Sequence, residues 1–137
     1  MSKFVKFEAQ VDGYLPELSV KVDNILMVTI DEVYFTQGHK LKGRKTQDWN
    51  NYSTWNFECI TSQIEELSPD DEWIDLKVVN SENKTKRFFV HKDSFVGLDS
   101  SNGYYMLMVE RNGVNLSYEV RGLTTRMARE VVETFED

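Results

Sequence analysis

Asn112-Gly113 is the feature that most narrows what this chain can become. Asn-Gly favours left-handed backbone at both central residues of a type I′ turn, whose twist matches a two-residue β-hairpin. The dipeptide sits between Tyr104–Arg111 and Val114–Arg121, two segments rich in aromatic, β-branched and long apolar residues. A two-residue turn sets the register, so Val109 is expected opposite Leu116, Leu107 opposite Tyr118 and Tyr105 opposite Val120. The other face of the second segment is Asn115, Ser117, Glu119 and Arg121, polar as a half-exposed strand requires. Tyr104, Met106 and Met108 form a further stripe, to be covered by core, helix or a subunit.

The hairpin runs almost directly into a helix expected over 123–136. Thr124 or Thr125 can cap it, and Leu123, Met127, Ala128, Val131, Val132 and Phe135 recur at spacings of three and four. Arg126 with Glu130 and Arg129 with Glu133 can pair one turn apart. Each base precedes its acid, an order that opposes the helix dipole. The helix must therefore be held by docking its apolar stripe.

Upstream, the chain reads as strands almost throughout. A second hairpin is expected from Trp73–Asn80 and Thr85–His91 across a short polar connection. Lys3–Val11 and Leu18–Val22 alternate, and Ile25–Phe35 is one long β-branched stretch. Thr54–Ile60 places Trp55, Phe57 and Cys59 at one parity, with strand character continuing through Ile64–Leu67 until Pro69. No internal repeat is evident. These elements predict one mainly β (α+β) domain over 1–137. The expected form is a seven- to eight-stranded antiparallel sandwich or partly open barrel with one C-terminal amphipathic helix. The layout resembles a pleckstrin-homology-type domain in the order of its elements, a likeness that implies little about function.

The chain has 137 residues, enough for one core without staples. It carries 16 basic against 23 acidic residues, a net charge of -7. An acidic surface repels polyphosphate at long range, so duplex nucleic acid is disfavoured as a partner. The lone cysteine, Cys59, excludes an internal disulfide and a multi-cysteine metal site. With no signal-length or membrane-length apolar run, a cytoplasmic protein without a membrane span is expected. Sequons at Asn51, Asn83 and Asn115 are then incidental.

No catalytic signature is present. His39 and His91 lack metal-partner spacing, Cys59 is expected to be buried, and no nucleophile elbow, phosphate-binding loop or dinucleotide fingerprint occurs. Asp70-Asp71-Glu72 with Asp75 lacks the alternation and glycine of a calcium loop. No catalytic residue, metal or cofactor is therefore expected. Charge placement is more informative. Residues 37–47 carry Lys40, Lys42, Arg44 and Lys45 beside His39 with no acid among them, and Trp49 and Tyr52 follow. A basic loop of this length serves either as solvated chain or as a contact surface. Lys84, Lys86, Arg87 and Lys92 make a second basic run near His91, whereas Glu58–Asp75 holds only acids.

Arg and Lys beside Trp and Tyr suit a protein interface and equally suit a phosphate-bearing ligand with a stacking ring. The first expectation is thus a small, acidic, non-catalytic protein-interaction module, of the kind phages and mobile elements encode as inhibitors of host proteins. The second is a binder of a nucleotide, a single strand or a lipid headgroup through His39–Lys45. The third is an enzyme of unrecognised type. Homo-oligomerisation is left open.

Overall fold

The computed structural model describes residues 3–10, 17–30, 32–36, 40–42, 52–53, 57–100 and 103–136. They form eleven strands and two α-helices. In chain order these are β1 (Phe4–Gln10), β2 (Glu17–Lys21), β3 (Ile25–Thr29), β4 (Glu32–Phe35), β5 (Lys40–Lys42), β6 (Tyr52–Ser53), α1 (Phe57–Leu67), β7 (Trp73–Val79), β8 (Thr85–His91), β9 (Phe95–Asp99), β10 (Tyr105–Arg111), β11 (Val114–Val120) and α2 (Thr125–Phe135). Short 3₁₀ turns, Val22–Asn24 and Lys92–Ser94, join β2 to β3 and β8 to β9. The result is the expected mainly β, antiparallel, open architecture with a C-terminal helix.

The sheets stack in three layers. The orders are β2-β1-β6, then β5-β4-β3-β8-β7, then β11-β10-β9. At its centre the five-stranded middle sheet is buried on both faces, through β3 and the end of β8. Val5, Phe7, Val28, Val33, Phe57, Ile60, Ile64, Trp73 and Phe89 fill the space on its α1 side. Leu26, Met27, Leu76, Val78, Phe88, Val90, Leu107, Val109, Val120 and Val131 fill the α2 side. All five residues of β3 are buried, because the strand lies between both cores. Apolar residues on both parities are what a doubly covered strand needs.

The last hairpin follows its turn chemistry. Asn112 has φ 53° and Gly113 φ 78°, and Val109 faces Leu116, Leu107 faces Tyr118 and Tyr105 faces Val120. Thr124 caps α2 by accepting from the Met127 N–H at 3.2 Å, and Arg126 pairs with Glu130 at 3.5 Å. The β7–β8 hairpin turns on buried Asn80. Its Oδ1 accepts from the N–H groups of Glu82 and Lys84, both at 3.0 Å, and its Nδ2 donates to the Arg121 carbonyl at 3.2 Å. Gly122 backs this turn at φ 76°, where a Cβ would come within 3.1 Å of Asn80 Cβ, so both backbone and space require glycine.

Three expectations are corrected. Residues 57–67 are helix, not strand, and the expected strand Thr54–Ile60 does not form over its described part. Phe57, Ile60, Thr61 and Ile64 are buried at helical spacing, which outweighs the two-residue parity of Phe57 and Cys59. Cys59 consequently lies on the outer face and is exposed. Second, Ile25–Phe35 is two strands. Thr29 Oγ1 accepts from the Glu32 N–H at 3.0 Å and donates to the Glu32 carbonyl at 3.2 Å, closing a side-chain-bonded turn between β3 and β4.

Third, the chain contains a repeated motif. Each half runs hairpin, 3₁₀ turn, then strands and an eleven-residue helix. Phe4 opposite Lys21 in β1–β2 corresponds to Trp73 opposite His91 in β7–β8. The 3₁₀ turns are anchored alike, Val22 N–H to the Lys3 carbonyl at 3.0 Å and Lys92 N–H to the Glu72 carbonyl at 2.8 Å. The β3–β4 pairing, Ile25–Phe35, Met27–Tyr34 and Val28–Val33, skips Leu26. The β9–β10 pairing, Phe95–Val109, Gly97–Met108 and Leu98–Leu107, skips Val96 at the same place. Finally, α1 packs on β1 and β3 as α2 packs on β7 and β9.

Candidate functional site

The two halves differ in what lies beside their third strand. In the first half, β3 pairs on its outer side with β8, Val28 opposite Phe89 and Thr29 opposite Phe88. In the second half, the equivalent strand β9 is the edge of its sheet and has no outer partner among the described residues. The bulged residues differ in cover as well, Leu26 packing in the core between the middle and last sheets. Leu26 is 2 % exposed, whereas Val96 is 58 % exposed, the most open of the large apolar side chains described. The inward side of β9 is well held, with Phe95 stacked on Phe135 of α2 at 4.0 Å between ring centres. A firmly seated strand with an open apolar edge is a template for another strand.

The hairpin β1–β2 has the matching edge, β2 having no outer partner among the described residues. Gln63 of α1 stands beside β1, its Oε1 accepting from the Lys6 N–H at 3.0 Å and its Nε2 donating to the Lys6 carbonyl at 3.1 Å. Both main-chain groups of Lys6 therefore point away from β2. Lys6 is opposite Ser19, so theirs is the non-hydrogen-bonded kind of antiparallel pair. Ser19 then directs its own N–H and C=O outward, to the free side of β2. Its counterpart in the second half, Phe89, directs the same groups at β3.

The basic residues singled out from sequence do not form one surface. Arg87 pairs with Glu58 of α1 and with Asp75 of β7 at 2.6 Å, and lies over the Phe57 ring at 4.3 Å. Hydrogen bonding to Asp75 and then Glu58 raises its pKa above the ordinary arginine value. It binds helix to sheet. Lys92 sits at the other end of β8, against Glu72 at 3.2 Å. Lys84 and Lys86 stay together beside Arg121, around an open groove of about 500 Å³ that Asn80, Glu82, Tyr118 and Glu119 complete. Two of its cations are matched, Lys84 to Glu82 at 3.8 Å and Arg121 to Glu119. Lys40 and Lys42 are backbone partners of Tyr34 and Glu32 on β5, the edge of the middle sheet. Tyr52 lies in β6, beside Gln10 of β1. His39, Arg44, Lys45 and Trp49 lie outside the described residues.

Two half-buried polar groups carry no sequence signature. Arg111, at the end of β10, donates from Nη1 to the carbonyls of Ile25 at 2.8 Å and Val22 at 3.4 Å, and stands 5.0 Å from the Trp73 ring centre. Burial lowers its pKa, opposed by Asp23 and Asp71. Tyr34 donates its hydroxyl to Glu32 at 2.9 Å, and burial followed by that bond pushes its pKa up. Both sit at interior joints. Only its place against the Val22 and Ile25 carbonyls, a tertiary property, could have flagged Arg111.

Among the described residues, no group of three or more His, Cys, Asp or Glu side chains gathers as a metal site. No described helix is long and apolar enough to cross a membrane. No protein-family model matches the chain, and comparison with curated proteins and with solved structures returns no match.

Proposed function

We propose that this protein is a non-catalytic protein-interaction module that receives an extended segment of a partner as an added strand on β9. The observation that carries the reading is the contrast between equivalent strands. β3 is paired on its outer side with β8, while β9 has no outer partner among the described residues and carries Val96 58 % exposed. In strand addition, main-chain hydrogen bonds supply affinity and side-chain positions along the edge supply selectivity. Inhibition of a host protein, as phage- and mobile-element-encoded modules do, is a use to which such an edge is suited.

The test compares what the wild-type chain and Val96→Lys retain from the native host lysate, alongside thermal melts of both. Lysine on an edge strand opposes strand addition, and an exposed position tolerates it. The expected result is loss of the retained protein with an unchanged melt. Equal retention by Val96→Lys contradicts the reading.

A second reading, a site for a phosphate-bearing ligand, draws on the groove bearing Lys84, Lys86 and Arg121. Lys86 has no ion pair among the described residues. Binding of this kind weakens steeply with salt. Replacing Lys84 and Lys86 by serine should flatten that dependence, and a slope unchanged by the replacement counts against the groove.

A further inference from the structure

We propose that the strand received by β9 is β2 of a second copy of this chain, antiparallel, with Leu98 opposite Ser19. The inference rests on the reading of β9 as a receiving edge, and it names the occupant. Its basis is a pairing the chain already makes once. Where the first half ends its third strand, the second half's hairpin continues the sheet, Val28 facing Phe89. By the shared registers, Val28 corresponds to Leu98 and Phe89 to Ser19. Repeating the same relationship once more carries the open edge of β9 to the open edge of the next copy's β2.

Three features of the two edges agree with this. The N–H and C=O of Ser19 face outward, as those of Phe89 face β3. Ser19 is exposed and small, and Leu98 is half-buried, so no bulky group crowds the joint. The helix on each half leaves the edge accessible. α1 packs on β3 while β3 pairs with β8, and α2 holds the corresponding position on β9. The contact is heterologous, since β9 meets β2 and not another β9. Each copy in a pair then keeps one unused edge, β2 on one and β9 on the other, and assembly continues head to tail unless the rotation closes a ring.

Head-to-tail pairing has a specific test by complementary edge variants. Val96→Lys blocks β9 and leaves β2 intact. Ser19→Pro removes an outward donor from β2 that β1 does not use, and Ser19→Lys at the same exposed position serves if the proline variant fails to fold. Sedimentation of the wild-type chain over a wide concentration range should show mass-dependent association beyond the monomer. Each variant alone should remain monomeric, with an unchanged melt. An equimolar mixture of the two should form a dimer and nothing larger, because one good β9 meets one good β2. A wild-type chain that stays monomeric overturns the self-pairing. So does association that survives in either variant alone, which indicates a contact elsewhere. Neither result bears on the lysate experiment, which detects a different protein on the same edge and so tests the wider reading separately.

Discussion

Arg111 Nη1 donates to the carbonyl of Ile25 at 2.8 Å, joining the end of β10 to the first residue of β3. The adjacent Asn112 Nδ2 donates to the Asp23 carbonyl at 2.9 Å, so the last hairpin is pinned to the 3₁₀ turn of the first half. These bonds cross between the two repeated motifs at a point where no ladder connects them.

Arg111→Met keeps much of the side-chain volume and removes the donors. It leaves the Ile25 carbonyl buried without this partner, at a cost of about 1–3 kcal/mol. Arg111→Lys should recover only part of this, because a single ammonium does not reproduce a guanidinium whose Nη1 holds both carbonyls while its Nη2 faces Asp23 at 3.7 Å. Urea unfolding of the three proteins provides the measurement. Equal stability of Arg111→Met and wild type would show that the bond contributes nothing net.

Tyr34 supplies a pH dependence with a definite sign. Its pKa in the folded chain lies above the unfolded value of about 10 because burial and the bond to Glu32 favour the neutral phenol. A raised folded pKa contributes stability that is fully present below the unfolded value and is lost as pH rises through the folded one. Tyr34→Phe lacks that contribution. The stability difference between wild type and Tyr34→Phe should therefore be largest near neutrality and shrink above pH about 10. A difference that stays constant through this range would contradict the assignment.

Cys59 should react in the native state. It lies on the exposed face of α1, although Gln63 Nε2 approaches its sulfur at 3.8 Å. A thiol reagent should titrate one thiol per chain without denaturant, at a rate close to that in the unfolded chain at equal pH. Reaction only after denaturation would return residues 57–67 to the strand that their alternation suggests.

Much of the framework is legible in the residues, and its gaps have physical causes. Asn112-Gly113 demands left-handed backbone, and that local requirement propagated through an entire hairpin register. The stripe from Leu123 to Phe135 has no competing period, so α2 is readable with its cap. In α1 the residues Phe57, Cys59 and Ile60 satisfy two periods over a short window, and only the longer run to Ile64 separates them. The repeated motif is hidden because its equivalent strands occupy different places in the sheets. Burial on both faces selects Ile25, Leu26, Met27 and Val28 in β3, while the edge position allows Val96, Gly97 and Leu98 in β9. Equivalent backbones therefore carry unlike side chains. The open edge, which is the candidate site, is a property of what does not lie beside a strand, and residue identity does not encode that.

Hydrogen exchange of the third-strand amides tests the central claim most directly. Val28 and Leu98 hold equivalent places, and their outward amides differ only in whether a strand lies beside them. In dilute wild-type protein, Val28 should exchange only through large-scale opening, while Leu98 should exchange orders of magnitude faster. Raising the protein concentration should slow Leu98 and leave Val28 unchanged. Protection of Leu98 equal to that of Val28 at high dilution would mean that the chain covers its own β9 edge, and it would contradict the account.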